Sequence, residues 1–372
     1  MIYLDYNATT PIDKEVADAM LPYLYKNFGN PSSSHKLGTN AKNVVENARS
    51  QVARMLNCSP DEIIFTSGGS ESNNAVLKGV AHTYRNKGNH IITSQIEHPA
   101  IINPCEYLEK LGYEVSYVPV DKYCRVNPLD IEKMITDKTI LVTIMHSNNE
   151  TGTIQPIEEI AKICKKHNIL FHTDASQSIG KVPVDVKDIG VDFLTVAGHK
   201  LYAPKGIGAL YIRNGINIEP LIHGAGHEGG RRAGTENIIL DVALGKACEM
   251  VIEALKKSEI KELTEYFYKK LKEKFGDRIQ LNGHLENKLP NTLNISFLGF
   301  NGHEILNSLS EIAASTGSAC HEGLTTISPV LKAMKVSEEV GRGAVRFSLG
   351  RYTTKEQIDK VINEVGKIQN AI

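Results

Sequence analysis

The sequence predicts an α/β fold: a mostly parallel seven-stranded sheet flanked by helices, with a smaller α+β unit toward the C-terminus. Three observations carry this. Apolar, β-branched runs at 63–65, 90–93, 114–118, 140–145, 169–173, 191–196 and 208–212 alternate with stretches of helical spacing. That alternation builds a sheet with helices on both faces. Near Asn237 it stops, and apolar residues at helical spacing run from 238 to 275 between charges such as Lys256, Lys257, Glu259 and Glu262. The third is length, since 372 residues allow two domains.

The chain begins with a mainly helical pattern over 16–56, interrupted by the Gly/Pro/Ser loop Phe28-Gly29-Asn30-Pro31-Ser32-Ser33-Ser34. The seven strand runs come next, then the helical stretch. Residues 279–372 mix short strands (292–297 and 344–348) with helices. The expected division is a large domain over 16–255 and a small domain made of 1–15 and 256–372. No internal repeat, low-complexity tract or flexible linker interrupts it.

Composition excludes several classes of function. A hydrophobic content of 41% with 23% charged residues is ordinary for a globular protein. The net charge of −1 supplies no field to attract nucleic acid or an anionic membrane. There is no run of 18 apolar residues, and Met1-Ile2-Tyr3-Leu4-Asp5 resembles no signal peptide, so a cytoplasmic enzyme is expected. The six cysteines, Cys58, Cys105, Cys124, Cys164, Cys248 and Cys320, form no C-x-x-C pair. Neither a metal site nor a redox dithiol is predicted.

The residues with chemical potential sit just past the strand ends. Asp174 ends one apolar run and Lys200, in Gly198-His199-Lys200, comes after the next, 26 residues on. Ligands of open α/β sheets gather at the carboxyl ends of strands. An acid and an amine delivered there suit pyridoxal 5'-phosphate (PLP), which needs a lysine for its Schiff base and a carboxylate at its ring nitrogen. Alone, the lysine reads as a solvated charge and the aspartate as a turn or helix cap.

Four other segments join them. Thr66-Ser67-Gly68-Gly69-Ser70 succeeds a strand and opens a helix, the local form of a phosphate site, although Ser70 as a plain N-cap reads equally well. It lacks the lysine of a nucleotide-hydrolysing loop and the spacing of a dinucleotide fingerprint. His98 and Asn149 come after further strands; an imidazole can stack on a pyridine ring, while an asparagine there is ordinarily a turn residue. Arg346, within a strand-like run, suits bidentate capture of a carboxylate or a simple ion pair. Cys320 lies among small residues beside His321, a setting that favours a thiolate, where the ordinary reading is an inert cysteine.

Together these segments closely resemble the PLP-dependent cysteine desulfurases of the iron–sulfur and nitrogen-fixation type (class V aminotransferase family) and the related selenocysteine lyases. The resemblance spans the chain, from Tyr3-Leu4-Asp5-Tyr6-Asn7-Ala8-Thr9-Thr10-Pro11 through Glu97-His98, Asp174-Ala175-Ser176-Gln177 and Gly198-His199-Lys200 to Arg231-Arg232-Ala233-Gly234-Thr235-Glu236-Asn237 and Gly317-Ser318-Ala319-Cys320. It implies the fold type I architecture of PLP-dependent transferases and a homodimer. Lys200 is then the Schiff-base lysine and proton carrier, Asp174 the partner of the ring nitrogen, Gln177 of the ring hydroxyl, and His98 the stacking residue. Gly69, Ser70 and His199 would hold the phosphate, with Thr235 joining from the second subunit. Asn149 and Arg346 would position the substrate carboxylate, and Cys320 would take the sulfur as a persulfide for an acceptor such as an iron–sulfur scaffold protein.

Two positions depart from the pattern. Ala197 stands where many such enzymes carry Ser or Thr, and His321 succeeds Cys320 where the iron–sulfur enzymes tend to have Thr; the Ala319-Cys320-His321 run also resembles selenocysteine lyases. L-cysteine is the expected substrate and L-selenocysteine the alternative. An aminotransferase of the same fold would use Lys200 and Asp174 with no need of Cys320, and a catalytically silent scaffold would need none of these residues.

Overall fold

The computed structural model describes residues 1–255, 259–316 and 327–368. Among them the strands are β1 (Ile2–Tyr3), β2 (Ile63–Thr66), β3 (His90–Ser94), β4 (Glu114–Val118), β5 (Thr139–Thr143), β6 (Leu170–Asp174), β7 (Phe193–Ala197), β8 (Gly208–Ile212), β9 (Ile279–Leu281), β10 (Thr292–Phe297), β11 (Ile312–Ala313) and β12 (Ala344–Ser348). Seven form one sheet in the order β2-β8-β7-β6-β5-β3-β4. Only β8 runs against its neighbours, pairing antiparallel with β2 and β7. The carboxyl ends of β2, β3, β5, β6 and β7 therefore share one edge with the start of β8. Strands buried on both faces need continuous apolar runs, and β5, β7 and β8 are buried throughout.

The seven predicted strand runs are the seven strands of this sheet, with shifted ends. The 140–145 run leaves the sheet at Thr143 because the Met145 N–H turns to the Glu97 carboxylate at 3.0 Å. The 169–173 run starts at Leu170, since the Ile169 N–H closes the preceding helix on Cys164 O. The long helical pattern after Asn237 is two helices, Ile238–Ala254 and Ile260–Phe275. The first is capped by the Asn237 side chain, which accepts from Leu240 N.

A second apolar core, including Leu4, Phe267, Leu271, Leu293, Ile295, Phe297, Phe347 and Ile358, surrounds an antiparallel sheet in the order β12-β10-β9. The N-terminus enters this core through β1, which pairs parallel with β11. The three-residue β9 and two-residue β1 and β11 are too short to show periodicity in sequence. From β1, residues 5–10 return to the edge of the large sheet. Thr10 N–H reaches His199 O at 3.0 Å, and the Thr10 hydroxyl accepts from Tyr202 N at 2.9 Å. The chain's beginning is thus stitched to the segment carrying Lys200.

Candidate active site

The shared strand edge gathers most of the predicted residues loop by loop. After β2, Gly68 adopts φ 143°, a conformation essentially restricted to glycine, and the helix Gly69–Tyr84 starts at once. A Cβ on Gly69 would lie 3.1 Å from Ser176 Oγ and 3.5 Å from Ala197 Cβ. Bare backbone therefore packs between the ends of β6 and β7, and the first-turn N–H groups have no acceptors within their own helix. Ser70 is exposed and its side chain does not cap this helix. Its carbonyl accepts from Asn74 Nδ2 at 2.9 Å.

Asp174, 8% exposed, closes β6. Its Oδ1 accepts from Ser176 N at 2.9 Å, the turn contact expected of an aspartate at this place. Its Oδ2 accepts from Asn73 Nδ2 at 2.7 Å. The carboxylate is thus fixed from both sides, one oxygen in the ordinary turn contact and the other on Asn73.

Lys200, beyond β7, donates from Nζ to Asn7 O at 2.6 Å and Ala8 O at 2.7 Å. Burial first, then Arg346, pull its pKa down to about 8, against the pull of Asp174 and Asp5. Gln177 Nε2 reaches the same Asn7 carbonyl at 2.9 Å. His199 Nδ1 lies 3.1 Å from Thr9 Oγ1; burial and the neighbouring cations Lys200 and Lys205 lower its pKa to about 4, so the ring is neutral.

His98 caps the helix Pro99–Lys110, its Nδ1 accepting from Ala100 N at 3.0 Å. That bond leaves the proton of the neutral ring on Nε2. Desolvation outweighs the attraction of Asp174 and lowers its pKa, while Lys200 acts with desolvation. Asn149 presents its carbonyl to Arg346 Nη1 at 2.9 Å and to Asn7 Nδ2 at 3.2 Å. The turn itself is made by Asn148, whose Oδ1 accepts from Glu150 N and Thr151 N.

Arg346, on β12, pairs with Asp5 at 2.7 Å, and its buried Nε has no partner among the described residues. The ordinary ion pair is present, but within the protein, with one donor to spare. Thr235 is exposed in a loop that the Arg232–Glu71 pair, at 2.9 Å, ties to the Gly68 turn. Cys320 and His321 lie outside the described residues.

Several participants went unread in the sequence. Asn7 receives Lys200 and Gln177 on its carbonyl and Lys181 on its side chain. Asn73 braces Asp174, and Ser176 brings a hydroxyl beside Gly69 next to the methyl of Ala197. Asn7 belongs to the N-terminal Asp5–Pro11 segment, and helical spacing alone points Asn73 back toward the Gly69 turn; Ser176 carried no separate signal.

A large cleft, about 1370 Å³, runs past the helix Ile238–Ala254 and the segment 349–356. It reaches Lys200 and Lys181 but not Asp174, His98, Gly69 or Asn149. Converging polar groups locate the candidate site better than volume does. Among the described residues, no cluster of three His, Cys, Asp or Glu side chains is placed to hold a metal, and no helix is long and apolar enough to cross a membrane.

A lysine, a strand-end carboxylate and a glycine turn at a helix start, all on one sheet edge, define a PLP-dependent fold type I site. The aminotransferase class-V family model matches residues 2–361, and the chain belongs to that family. It is 48% identical to cysteine desulfurase IscS of Dictyoglomus turgidum, covering 99% of this chain and 94% of the relative. To cysteine desulfurase IscS of Methanosarcina thermophila it is 46% identical, covering 99% and 91%. Among solved structures, a NifS-like protein superposes with a TM-score of 0.93 at 38% identity over the whole of both chains. SspA in complex with cysteine gives 0.85 at 39% identity over 95% of this chain and 100% of that one.

Proposed function

We infer that this chain is a PLP-dependent cysteine desulfurase, which removes sulfur from L-cysteine to leave L-alanine and a persulfide on Cys320. The observation that carries the reading is the Asp174–Lys200 pair on one sheet edge, with the lysine amine lowered to about 8. Two features fit the cofactor, the fixed Asp174 carboxylate and the bare backbone at Gly69, and one fits the substrate carboxylate, the Arg346 Nε that has no partner among the described residues.

When bound, PLP supplies a cationic pyridine ring that draws off the electron pair left as the substrate's Cα–H bond breaks. Asp174 would hold a proton at the ring nitrogen, and the neutral His98 ring would stack on the pyridine. Gly69 and Ser70 with His199 would hold the phosphate, with Ser176 supplying a hydroxyl where Ala197 has none. Arg346 and Asn149 orient the substrate carboxylate. Lys200 would hold the cofactor through its amine and carry the Cα proton. The Cys320 thiolate attacks the substrate sulfur; the new S–S bond forms as the Cβ–S bond breaks, and its electron pair is taken up with a proton at Cβ.

The chain is proposed to work as a homodimer, with Thr235 reaching the partner's phosphate site, and to pass the persulfide to an acceptor protein such as an iron–sulfur scaffold. The division into 16–255 and 1–15 with 256–372 is likewise proposed, supported by the separate apolar core around β9, β10 and β12. The test is uptake of PLP by the apoprotein, then alanine release from L-cysteine. The wild type is expected to do both, and Lys200→Ala to lose covalent cofactor attachment and turnover together. Alanine release undiminished in Lys200→Ala would remove the reading.

A further inference from the structure

Lys181 has no task in the desulfurase reaction. It borders the large cleft, half-buried, and its amine turns inward to donate to Asn7 Oδ1 and Gln177 Oε1, both at 2.8 Å. Burial, then the cations Lys200 and Arg346, push its pKa well below the ordinary lysine range. An amine in such a place is costly, so the groups it holds matter.

Of its two acceptors, one is already fixed. Asn7 Oδ1 also accepts from Asn291 Nδ2 at 3.2 Å, while Asn7 Nδ2 is committed to Thr292 Oγ1 at 2.8 Å and Asn149 O at 3.2 Å. The Gln177 carboxamide has fewer anchors. Its Oε1 meets Lys181, and its Nε2 donates to the Asn7 carbonyl, to which Lys200 Nζ also donates. With either proton count the Lys181 amine has an N–H for each oxygen. It thereby keeps the acceptor end of Gln177 turned away and the donor end on the Lys200 side.

We propose that Lys181 is a positioning residue that anchors the Gln177 carboxamide, so that an N–H donor, not a carbonyl, faces the cofactor's ring oxygen beside Lys200. This rests on the PLP-dependent function proposed for the chain. A donor at that oxygen stabilises its ionised form. Without the anchor, Gln177 Oε1 is left as a buried acceptor with no partner and the carboxamide turns to find one.

The experiment is a double-mutant cycle on PLP-loaded protein, Lys181→Met against Gln177→Met, read as the pH midpoint of the bound cofactor's absorbance. Each single variant is expected to raise the midpoint by about one pH unit, tenfold in proton affinity. The double variant should go no further than either single one, because Lys181 acts through Gln177. Lys181→Arg, which keeps donors at the position, should restore at least half of the shift. If Lys181→Met does not fold, Lys181→Gln carries the same cycle. An unmoved midpoint, or fully additive shifts, would overturn the assignment while wild-type PLP uptake stays intact. Failure of the wild type to take up PLP would sink the cofactor reading instead.

Discussion

Lys200 presents a free amine in larger proportion near neutral pH than an exposed lysine does, because burial and Arg346 hold its pKa at about 8. The rate at which apoprotein captures PLP should therefore climb as pH rises through 8 and level off above it; stopped-flow absorbance measures this. A climb continuing to the ordinary lysine range would contradict the burial argument. Asp174→Asn should keep PLP binding but lower kcat by about 100-fold or more, since the fixed charge that sustains the protonated ring is gone. Residues with a chemical signature were legible in sequence: Lys200, Asp174, His98, Gly69 and Arg346 all sit at or beside the strand edge. Their supports were not. Asn7, Asn73 and Lys181 act through contacts that span 193, 101 and 174 residues of sequence, and nothing local marks such pairs.

Strands set the site's tolerance for change. Gly208, at the start of β8, leaves no room for a side chain: an added Cβ would lie 2.5 Å from Val196 O and 2.7 Å from Gly68 Cα. Gly208→Ala should push β8 from β7, lower stability by about 1–3 kcal/mol, and weaken PLP binding by displacing the Gly68 turn. Thermal melting and cofactor titration measure the two effects. Glu97 braces β3 against β5, accepting from Ser94 Oγ at 2.6 Å and Met145 N at 3.0 Å, and burial raises its pKa to about 8. The folded protein keeps a proton that the unfolded chain releases above about 4.5, so this stabilisation is present below pH 4.5 and lost as pH rises to 8. Glu97→Gln cannot titrate, so its melting temperature relative to wild type should rise between pH 5 and 8; a constant difference would refute this. Long apolar runs made the seven strands readable, whereas their ends are set by side chains such as Glu97 that take ladder N–H groups for themselves.

On the scale of the whole molecule, the N-terminal segment bridges the apolar core around β9, β10 and β12 and the large sheet, leaving β1 in the first and delivering Asn7 to the edge of the second. This arrangement sets Asn7 against Lys200, Gln177 and Lys181, three residues far from it in sequence. Thr235 adds a prediction on the same scale. Sedimentation should give twice the chain mass of 40.9 kDa, and mixing Lys200→Ala with Thr235→Val subunits should recover part of the lost activity through hybrid dimers with one intact site. A monomer, or no recovery, would place Thr235 outside the partner's site. The sulfur-carrying role of Cys320 is tested most directly by alanine release from L-cysteine and L-selenocysteine, comparing PLP-loaded wild type with Cys320→Ala. The expected result is turnover of L-cysteine by the wild type, with a persulfide on Cys320, and loss of that turnover in the variant. Reaction with L-selenocysteine alone would make the chain a selenocysteine lyase, and alanine from neither substrate would contradict the desulfurase reading outright.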